Sequence, residues 1–269
     1  MRDFVARRLR SLALTGVIAL LPGLASCANG PISPLESKAN ASAQTGPDAQ
    51  CAIGNRPFFG DTHLHTALSP DAGLAGTKLG LDEAYRFARG ETVTSNSGQQ
   101  AALKRPLDFL VVADHSENLG LAQGLEASNP ELLKSSLGQQ LHDLLKAGKG
   151  REAFYLLVQW MAKGSEALVS NDAYLTSVWE MNNAVAERYN NPGTFTSLIG
   201  YEWTSQPGGG NLHRVVIFRD DKALTDRILP FSAFDSEDVE DLWAFMAAYE
   251  SQLGGRVLAI PHNGNLSSG

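Results

Sequence analysis

Two histidines separated by one residue, His63 and His65, are the side chains of this sequence best suited to chemistry. They lie in the segment 58–66, which reads as extended. Side chains alternate between the two faces of a strand, so these two imidazoles share a face. Neutral imidazole is the commonest metal ligand among side chains, and a pair on one face can hold one ion together. Two ordinary polar histidines at a strand end would give the same pattern.

Other histidines and carboxylates lie at the ends of further strand-like segments. Asp114 and His115 follow one apolar run, Glu202 ends another, His262 follows a third, and His213 instead opens its segment. The carboxyl ends of strands build the active sites of α/β barrels. Buried carboxylates and imidazoles without partners are costly. Their convergence on one rim therefore favours a metal cluster over a set of core histidines.

The elements that must position these residues alternate between strand and helix. Apolar runs predict strands over 107–113, 196–203, 212–218 and 257–260, and the first of these has the continuous apolar character of a parallel strand covered on both faces. Helical spacing predicts helices over 81–89 and 239–253, with a long helical insertion over about 119–190. The pattern predicts an α/β fold.

The first 26 residues have the form of an export signal. Four arginines among the first ten residues precede an apolar run, 11–24, that is too short for a comfortable membrane span. The stretch Leu24-Ala25-Ser26-Cys27 resembles the lipobox of bacterial lipoproteins, which implies cleavage before Cys27 and its lipidation. That implies export to the bacterial cell envelope and a lipid anchor on the periplasmic or outer-membrane side. A plain secretory signal cleaved nearby is the alternative.

The segment behind this signal reads as a tether, and the charge excludes one class of partner. Residues 27–50 are rich in small and polar residues and predict a flexible linker, so the folded part is expected over 51–269. Loss of the signal, which carries a net charge of +3, lowers the net charge from −7 to −10. An acidic protein is a poor candidate for binding nucleic acid. With Cys27 lipidated, Cys51 has no intrachain disulfide partner.

Taken in order, the motifs resemble those of the polymerase-and-histidinol-phosphatase (PHP) superfamily, and more closely its branch that shares the domain DUF3604. The matching stretches are Asp61-Thr62-His63-Leu64-His65, Asp71, Ala113-Asp114-His115, Gly200-Tyr201-Glu202, His213 and Pro261-His262. The resemblance covers the chain from Pro57 onward. It implies a distorted seven-stranded (β/α) barrel that holds two or three divalent transition metals (Zn, Mn or Fe) and hydrolyses a small phosphoester.

The resemblance also implies a role for each matched residue. The implied ligands are His63 and His65 for a first ion, His213 and His262 for a second, Glu202 between these two, and Asp71 with His115 for a third. Such mixed imidazole and carboxylate ligation suits these metals.

In the implied mechanism, a metal-bound water with a lowered pKa attacks phosphorus. Asp61 and Asp114 are expected to orient the ligands, and Arg214 to contact a phosphate oxygen. A purely structural role for the two aspartates, and a solvated surface position for Arg214, are the alternatives.

One departure from the family pattern concerns the end of the chain. The family normally adds an Asp-x-His motif on a late strand, and no residue after His262 supplies it. Five strands fall short of a closed barrel and would leave an unpaired edge. We therefore expect the N-terminal part of a longer protein, with the barrel incomplete at its C-terminus. Two other functions stay open: a catalytically incompetent fragment or envelope binding protein, and a metal-dependent hydrolase of non-phosphate esters or amides.

Overall fold

The computed structural model describes residues 8, 57–163 and 166–267. The predicted tether and Cys27 lie outside these residues, as does the predicted signal apart from Arg8. The described part is mixed α/β, with a curled half-barrel sheet and several helices. Among its helices, none combines the length and the apolar character that crossing a membrane requires.

The curled sheet has five strands within the described residues. In spatial order they are β1 (Gly60–Leu64), β4 (Phe109–Val112), β5 (Thr196–Trp203), β6 (Arg214–Phe218) and β7 (Val257–Pro261). The short strands β2 (Val93–Thr94) and β3 (Gln100–Ala101) form a separate antiparallel pair. Strand β4 is parallel to both of its neighbours, which confirms the prediction from its continuous apolar run.

Strand direction explains why His213, at the start of a strand, lies with residues from strand ends. Strand β6 is antiparallel to β5, and Glu202 pairs with Val215 across the two strands. The start of β6 therefore lies beside the end of β5. Strand β7 is antiparallel to β6 and returns to the same end of the sheet, where His262 follows Pro261. The sequence does not show this reversal of direction, which makes the sheet mixed.

Helices occupy the predicted positions, although the long helical region is divided and two short helices, α1 and α7, were not predicted. They are α1 (Pro70–Leu74), α2 (Leu81–Ala88), α3 (Leu121–Glu126), α4 (Ser136–Lys146), α5 (Gly150–Met161), α6 (Asp172–Tyr189), α7 (Lys222–Thr225) and α8 (Val239–Leu253). The predicted region 119–190 thus contains α3 to α6 and a 3-10 turn, Leu132–Lys134. Breaks fall at residues that cannot continue a helix easily: Pro130 lies between α3 and the turn, and Gly148 adopts a positive φ between α4 and α5.

The two faces of the sheet bury different side chains. We call the face that carries Tyr201, Trp203 and Phe218 the outer face; it packs on helices, and the ring centroid of Trp179 in α6 lies 6.0 Å from that of Tyr201. The inner face carries a smaller apolar cluster of Val111, Ala113, Val215 and Ile217.

Gly200 on the inner face has no room for a larger side chain. A Cβ at this position would lie 2.6 Å from Cγ1 of Val111 and 2.8 Å from the carbonyl oxygen of Val216. The absence of a side chain therefore lets β4 and β5 approach under the end of the sheet where Glu202 lies.

Candidate metal centre

Glu202, at the end of β5 on the inner face, is fully buried and is the centre of the site. Its Oε2 lies 2.9 Å from Nε2 of His63 and 2.7 Å from Nε2 of His65. Its Oε1 lies 2.8 Å from Nδ1 of His213 and 2.9 Å from Nε2 of His262. Each carboxylate oxygen thus has its own pair of imidazoles, as a carboxylate that bridges two ions requires.

Curling of the sheet brings its two edge strands together at this point. His63 belongs to β1 at one edge, and His262 directly follows β7 at the other. Their ring centroids are nevertheless only 4.0 Å apart. Residues distant in the chain and on opposite edges therefore face the same carboxylate.

Asp71, in the first turn of α1, forms a second meeting point. Its Oδ1 accepts hydrogen bonds from the Ser69 hydroxyl at 2.5 Å and from the Ala72 backbone N–H at 2.6 Å. Its Oδ2 lies 3.1 Å from Nδ1 of His65 and 3.5 Å from Nε2 of His115. The bonds to Oδ1 hold the carboxylate so that Oδ2 faces the two imidazoles.

Among the described residues, three combinations of side chains bring three ligand atoms within 4.8 Å of one another. They are His63, His65 and Glu202; His65, Asp71 and His115; and His115, Glu202 and His213. Several His and Glu groupings of this structure could therefore hold a metal ion. The third differs from the predicted set, because His115 is present in place of His262, although His262 contacts the same oxygen of Glu202 as His213 does.

The electrostatics of the site rest on pairing between carboxylates and imidazoles. Burial by itself would raise the pKa of Glu202, but its hydrogen bonds to His213, His63 and His65 hold the pKa well below the usual range. Burial would likewise lower the pKa of His65, yet the hydrogen bonds to Asp71 and Glu202 raise it to about 10. At neutral pH, both ring nitrogens of His65 therefore carry a proton, and a metal ion would have to displace one of these two protons.

The donor set fits divalent transition ions. The buried atoms Nε2 of His213 and Nδ1 of His262 have no hydrogen-bond partner among the described residues. In the same part of the chain, no lysine or arginine forms an ion pair with Glu202 or Asp71. Two carboxylates whose only ionic partners are imidazoles suit Zn, Mn or Fe, because both groups are ligands of these metals.

A family model described as a protein of unknown function, DUF3604, matches residues 52–269 and so includes every predicted ligand. The chain belongs to this family. No curated protein and no solved structure matches it. The DUF3604 match confirms the closer of the two resemblances seen in the sequence motifs, while membership of the wider PHP superfamily stays a prediction.

The two aspartates expected to orient ligands in this DUF3604 chain act on backbone near the histidines. Asp61 is exposed, and its Oδ1 accepts a hydrogen bond of 2.8 Å from the backbone N–H of His63. Asp114 is buried and accepts hydrogen bonds from the N–H and the hydroxyl of Thr66, at 2.5 and 2.7 Å. Burial raises the pKa of Asp114 to about 6. Through its two hydrogen bonds to Thr66, Asp114 fixes the turn that follows His65, which is consistent with an orienting role.

Arg214 lies on the face of the DUF3604 sheet opposite to Glu202, and its contact with a phosphate stays a prediction. It pairs with Trp203 across β5 and β6, and residues in register share a face. Its guanidinium carbon lies 6.0 Å from the centroid of the Trp203 ring, and its Nη1 donates to the carbonyl oxygen of Leu212 at 3.0 Å. Arg214 is half-buried, and this partial burial lowers its pKa.

Two hydroxyl residues of the DUF3604 centre were missed by the sequence reasoning. Ser69 is fully buried and precedes α1, yet its hydroxyl bonds to Asp71 instead of capping the helix. Thr204 lies two residues after Glu202, and its hydroxyl contacts Nδ1 of His115. The period-two spacing from Glu202 was the one signal that could have pointed to Thr204.

Proposed function

We propose that this chain is a metal-dependent hydrolase of small phosphoesters. The observation that carries the proposal is the placement of two histidines on each oxygen of the fully buried Glu202. Sites that hold two ions roughly 3.5–4 Å apart are common in phosphatases and nucleases, where they stabilise both the attacking and the leaving oxygen. Divalent transition ions (Zn, Mn or Fe) would supply an activated water and neutralise charge on the phosphoryl group.

The proposed ligands divide by the carboxylate oxygen that each contacts. His63 and His65 would hold one ion at Oε2 of Glu202, and His213 and His262 would hold a second at Oε1. Asp71 and His115 would hold a third. Asp114 would keep the turn after His65 in place through its two hydrogen bonds to Thr66.

Differences in exposure within the site define how a substrate would approach. The side chains of His63 and Asp71 are 37% and 36% exposed, whereas Glu202 is fully buried. A phosphoester would therefore enter from the side of His63 and Asp71. On the inner face, the buried side chains of Val111, Ala113, Val215 and Ile217 keep water away from the sheet beneath the centre. Charges in such an environment are screened less than in water.

The same proposal extends to the fold and the location of the chain. A sheet whose edge strands meet at His63 and His262 is compatible with a distorted seven-stranded PHP-type barrel, and we assign the curled sheet to that architecture. The lipobox-like stretch that ends at Cys27 supports export and lipid anchoring at the bacterial cell envelope.

Hydrolysis of p-nitrophenyl phosphate by the full chain tests the activity. The chain is loaded separately with Mn²⁺, Zn²⁺ and Fe²⁺, and the phosphoester is compared with p-nitrophenyl acetate. We expect phosphoester cleavage that chelation abolishes and that Glu202→Gln removes. Glu117→Gln is the matched control, because Glu117 is almost equally buried but accepts its hydrogen bonds from the backbone N–H of Ala233 and from the hydroxyl of Ser116.

Two results would move the function elsewhere. Cleavage of the carboxylic ester without the phosphoester would assign the chain to non-phosphate hydrolases. Bound ions without any hydrolysis would indicate a binding protein of the cell envelope.

A further inference from the structure

His115 has two ring nitrogens that face two different parts of the metal centre. Its Nε2 lies 3.5 Å from Oδ2 of Asp71, and its Nδ1 lies 3.6 Å from Oε2 of Glu202. The same imidazole could therefore complete a group with His65 and Asp71 or a group with Glu202 and His213. A neutral imidazole has one lone pair and one N–H, so it can be a ligand of only one ion at a time.

Thr204 prevents His115 from joining the group with Glu202 and His213. Thr204 directly follows the last residue of β5 and is largely buried, and its hydroxyl contacts Nδ1 of His115. Whether Nδ1 donates to this hydroxyl or accepts from it, Nδ1 has no free lone pair for an ion beside Glu202. When Nδ1 carries the proton and donates it to Thr204, the lone pair on Nε2 points to Asp71.

Ser69 connects the same histidine to the same carboxylate from the opposite side. Its fully buried hydroxyl accepts a hydrogen bond of 3.2 Å from the backbone N–H of His115. The hydroxyl proton is donated to Oδ1 of Asp71 at 2.5 Å. The Ser69 side chain thus fixes the distance between the start of α1 and His115, which lies just beyond the end of β4.

We infer that Thr204 and Ser69 are positioning residues that commit His115 to an ion at Asp71 and withhold it from the ions at Glu202. The inference rests on the proposed metal centre. His65 faces Glu202 through Nε2 at 2.7 Å and Asp71 through Nδ1 at 3.1 Å. If Nε2 of His65 is a ligand of the ion beside Glu202, its Nδ1 carries the proton and can only donate a hydrogen bond to Asp71. The Asp71 ion therefore has two protein ligands, Oδ2 of Asp71 and Nε2 of His115, and binds more weakly than the ions at Glu202.

The test is a Mn²⁺ titration of the full chain, followed by calorimetry and by native mass spectrometry, with no substrate present. The wild type should bind three ions, the third most weakly. Thr204→Val keeps the shape and removes the hydroxyl, and it should weaken the third ion by about 10–100-fold, the usual effect of losing such a supporting hydrogen bond. Thr204→Ser should restore binding. Ser69→Ala should weaken the binding of the same ion. Both substitutions should leave the affinities of the two tighter ions within about twofold of the wild type.

Several outcomes would overturn the inference. A Thr204→Val chain that binds three ions with wild-type affinities would do so, as would a Thr204→Ser chain as defective as Thr204→Val. Loss of one of the two tighter ions in Thr204→Val would assign His115 to Glu202 instead. A wild type that binds no Mn²⁺ would overturn this inference together with the proposed centre. Selective loss of the third ion in a chain that cleaves no phosphoester would support the inference and remove only the proposed function.

Discussion

Glu202 and Trp203 are consecutive residues of β5, both are fully buried, and they are buried in opposite ways. Glu202 faces inward and is surrounded by imidazoles, while Trp203 faces outward on the side of Tyr201 and Phe218. A buried carboxylate is stable only with partners, whereas a buried tryptophan is stabilised by leaving water. The outer face therefore provides stability, and this leaves the end of the inner face available for the ion binding that we propose.

The largest effect that this comparison predicts is on Glu202→Gln. The amide keeps the shape of the side chain but loses the charge that both pairs of histidines share. Removing one member of a buried charged network costs about 3–5 kcal/mol. If a similar amount is lost from ion binding, the affinities for the ions at the two oxygens of residue 202 should each fall at least about 100-fold. Calorimetric Mn²⁺ titration measures this, with Glu117→Gln as the variant that keeps its ions. Retained binding in Glu202→Gln would refute the division between the two faces.

Phe218→Ala is the substitution on the outer face that corresponds to Glu202→Gln on the inner face. Phe218 is fully buried, and its ring centroid lies 4.9 Å from that of Tyr249 and 6.1 Å from that of Tyr201. We expect the free energy of unfolding to fall by about 3–5 kcal/mol, while the folded fraction binds Mn²⁺ with unchanged affinity. Denaturant unfolding in a chelator measures the first, because bound ions would themselves add stability. Tyr155→Ala, at an exposed position of α5, is the control and should cost less than about 0.5 kcal/mol. Loss of ion affinity as large as in Glu202→Gln would show that the faces are not separable.

The pH dependence of ion binding sharpens the inner half of the comparison. Because its carboxylate partners raise the pKa of His65 to about 10, its proton must leave when an ion binds. Affinity should therefore fall about tenfold for each pH unit lowered between pH 8 and pH 7, with about one proton released by His65 per chain. Calorimetry in buffers of different ionisation enthalpy counts the protons, and a pH-independent affinity would contradict the pairing.

Without ions, the stability of the folded chain should change in the opposite direction: it should rise as the pH is lowered. The charge of His65 stabilises the folded chain fully below its unfolded pKa of about 6.5, and this contribution is lost as the pH rises through about 10. Unfolding in a chelator at pH 7 and at pH 10.5 measures the difference.

Apart from the two control substitutions, Arg214→Gln should have the smallest effect. Since Arg214 packs beside Trp203 on the outer face, we expect Mn²⁺ affinity within about twofold of wild type and a loss of about 1 kcal/mol in unfolding free energy. The measurement is the same titration, with p-nitrophenyl phosphate hydrolysis added. Abolished hydrolysis in a chain that still binds its ions would instead support the phosphate-contact role that the sequence suggested for Arg214.

The sequence predicted much of this site because two simple rules hold in it. Period-two alternation placed His63 and His65 on one side, and the position of Glu202 at a strand end placed it beside them. The same alternation, applied from Glu202 through the pairing of β5 with β6, would have placed Arg214 on the other face. That pairing depends on the reversal of β6, which local sequence does not reveal.

The resemblance already implied that His115 belongs with Asp71, but the contact between His115 and Thr204 could not have been predicted. The choice between the two nitrogens of His115 depends on a hydroxyl 89 residues further along the chain, and tertiary packing alone brings the two residues together. The division of the helical region into α3 to α6 is more local, since Pro130 and Gly148 are visible breakers in the sequence.

Anomalous diffraction from crystals of the full chain grown with Mn²⁺ or Zn²⁺ tests the central claim most directly. We predict one peak beside each oxygen of Glu202, the first ligated by His63 and His65 and the second by His213 and His262. Zinc–nitrogen distances should be roughly 2.0–2.1 Å. Ions bound elsewhere on the chain, with none at Glu202, would contradict the account.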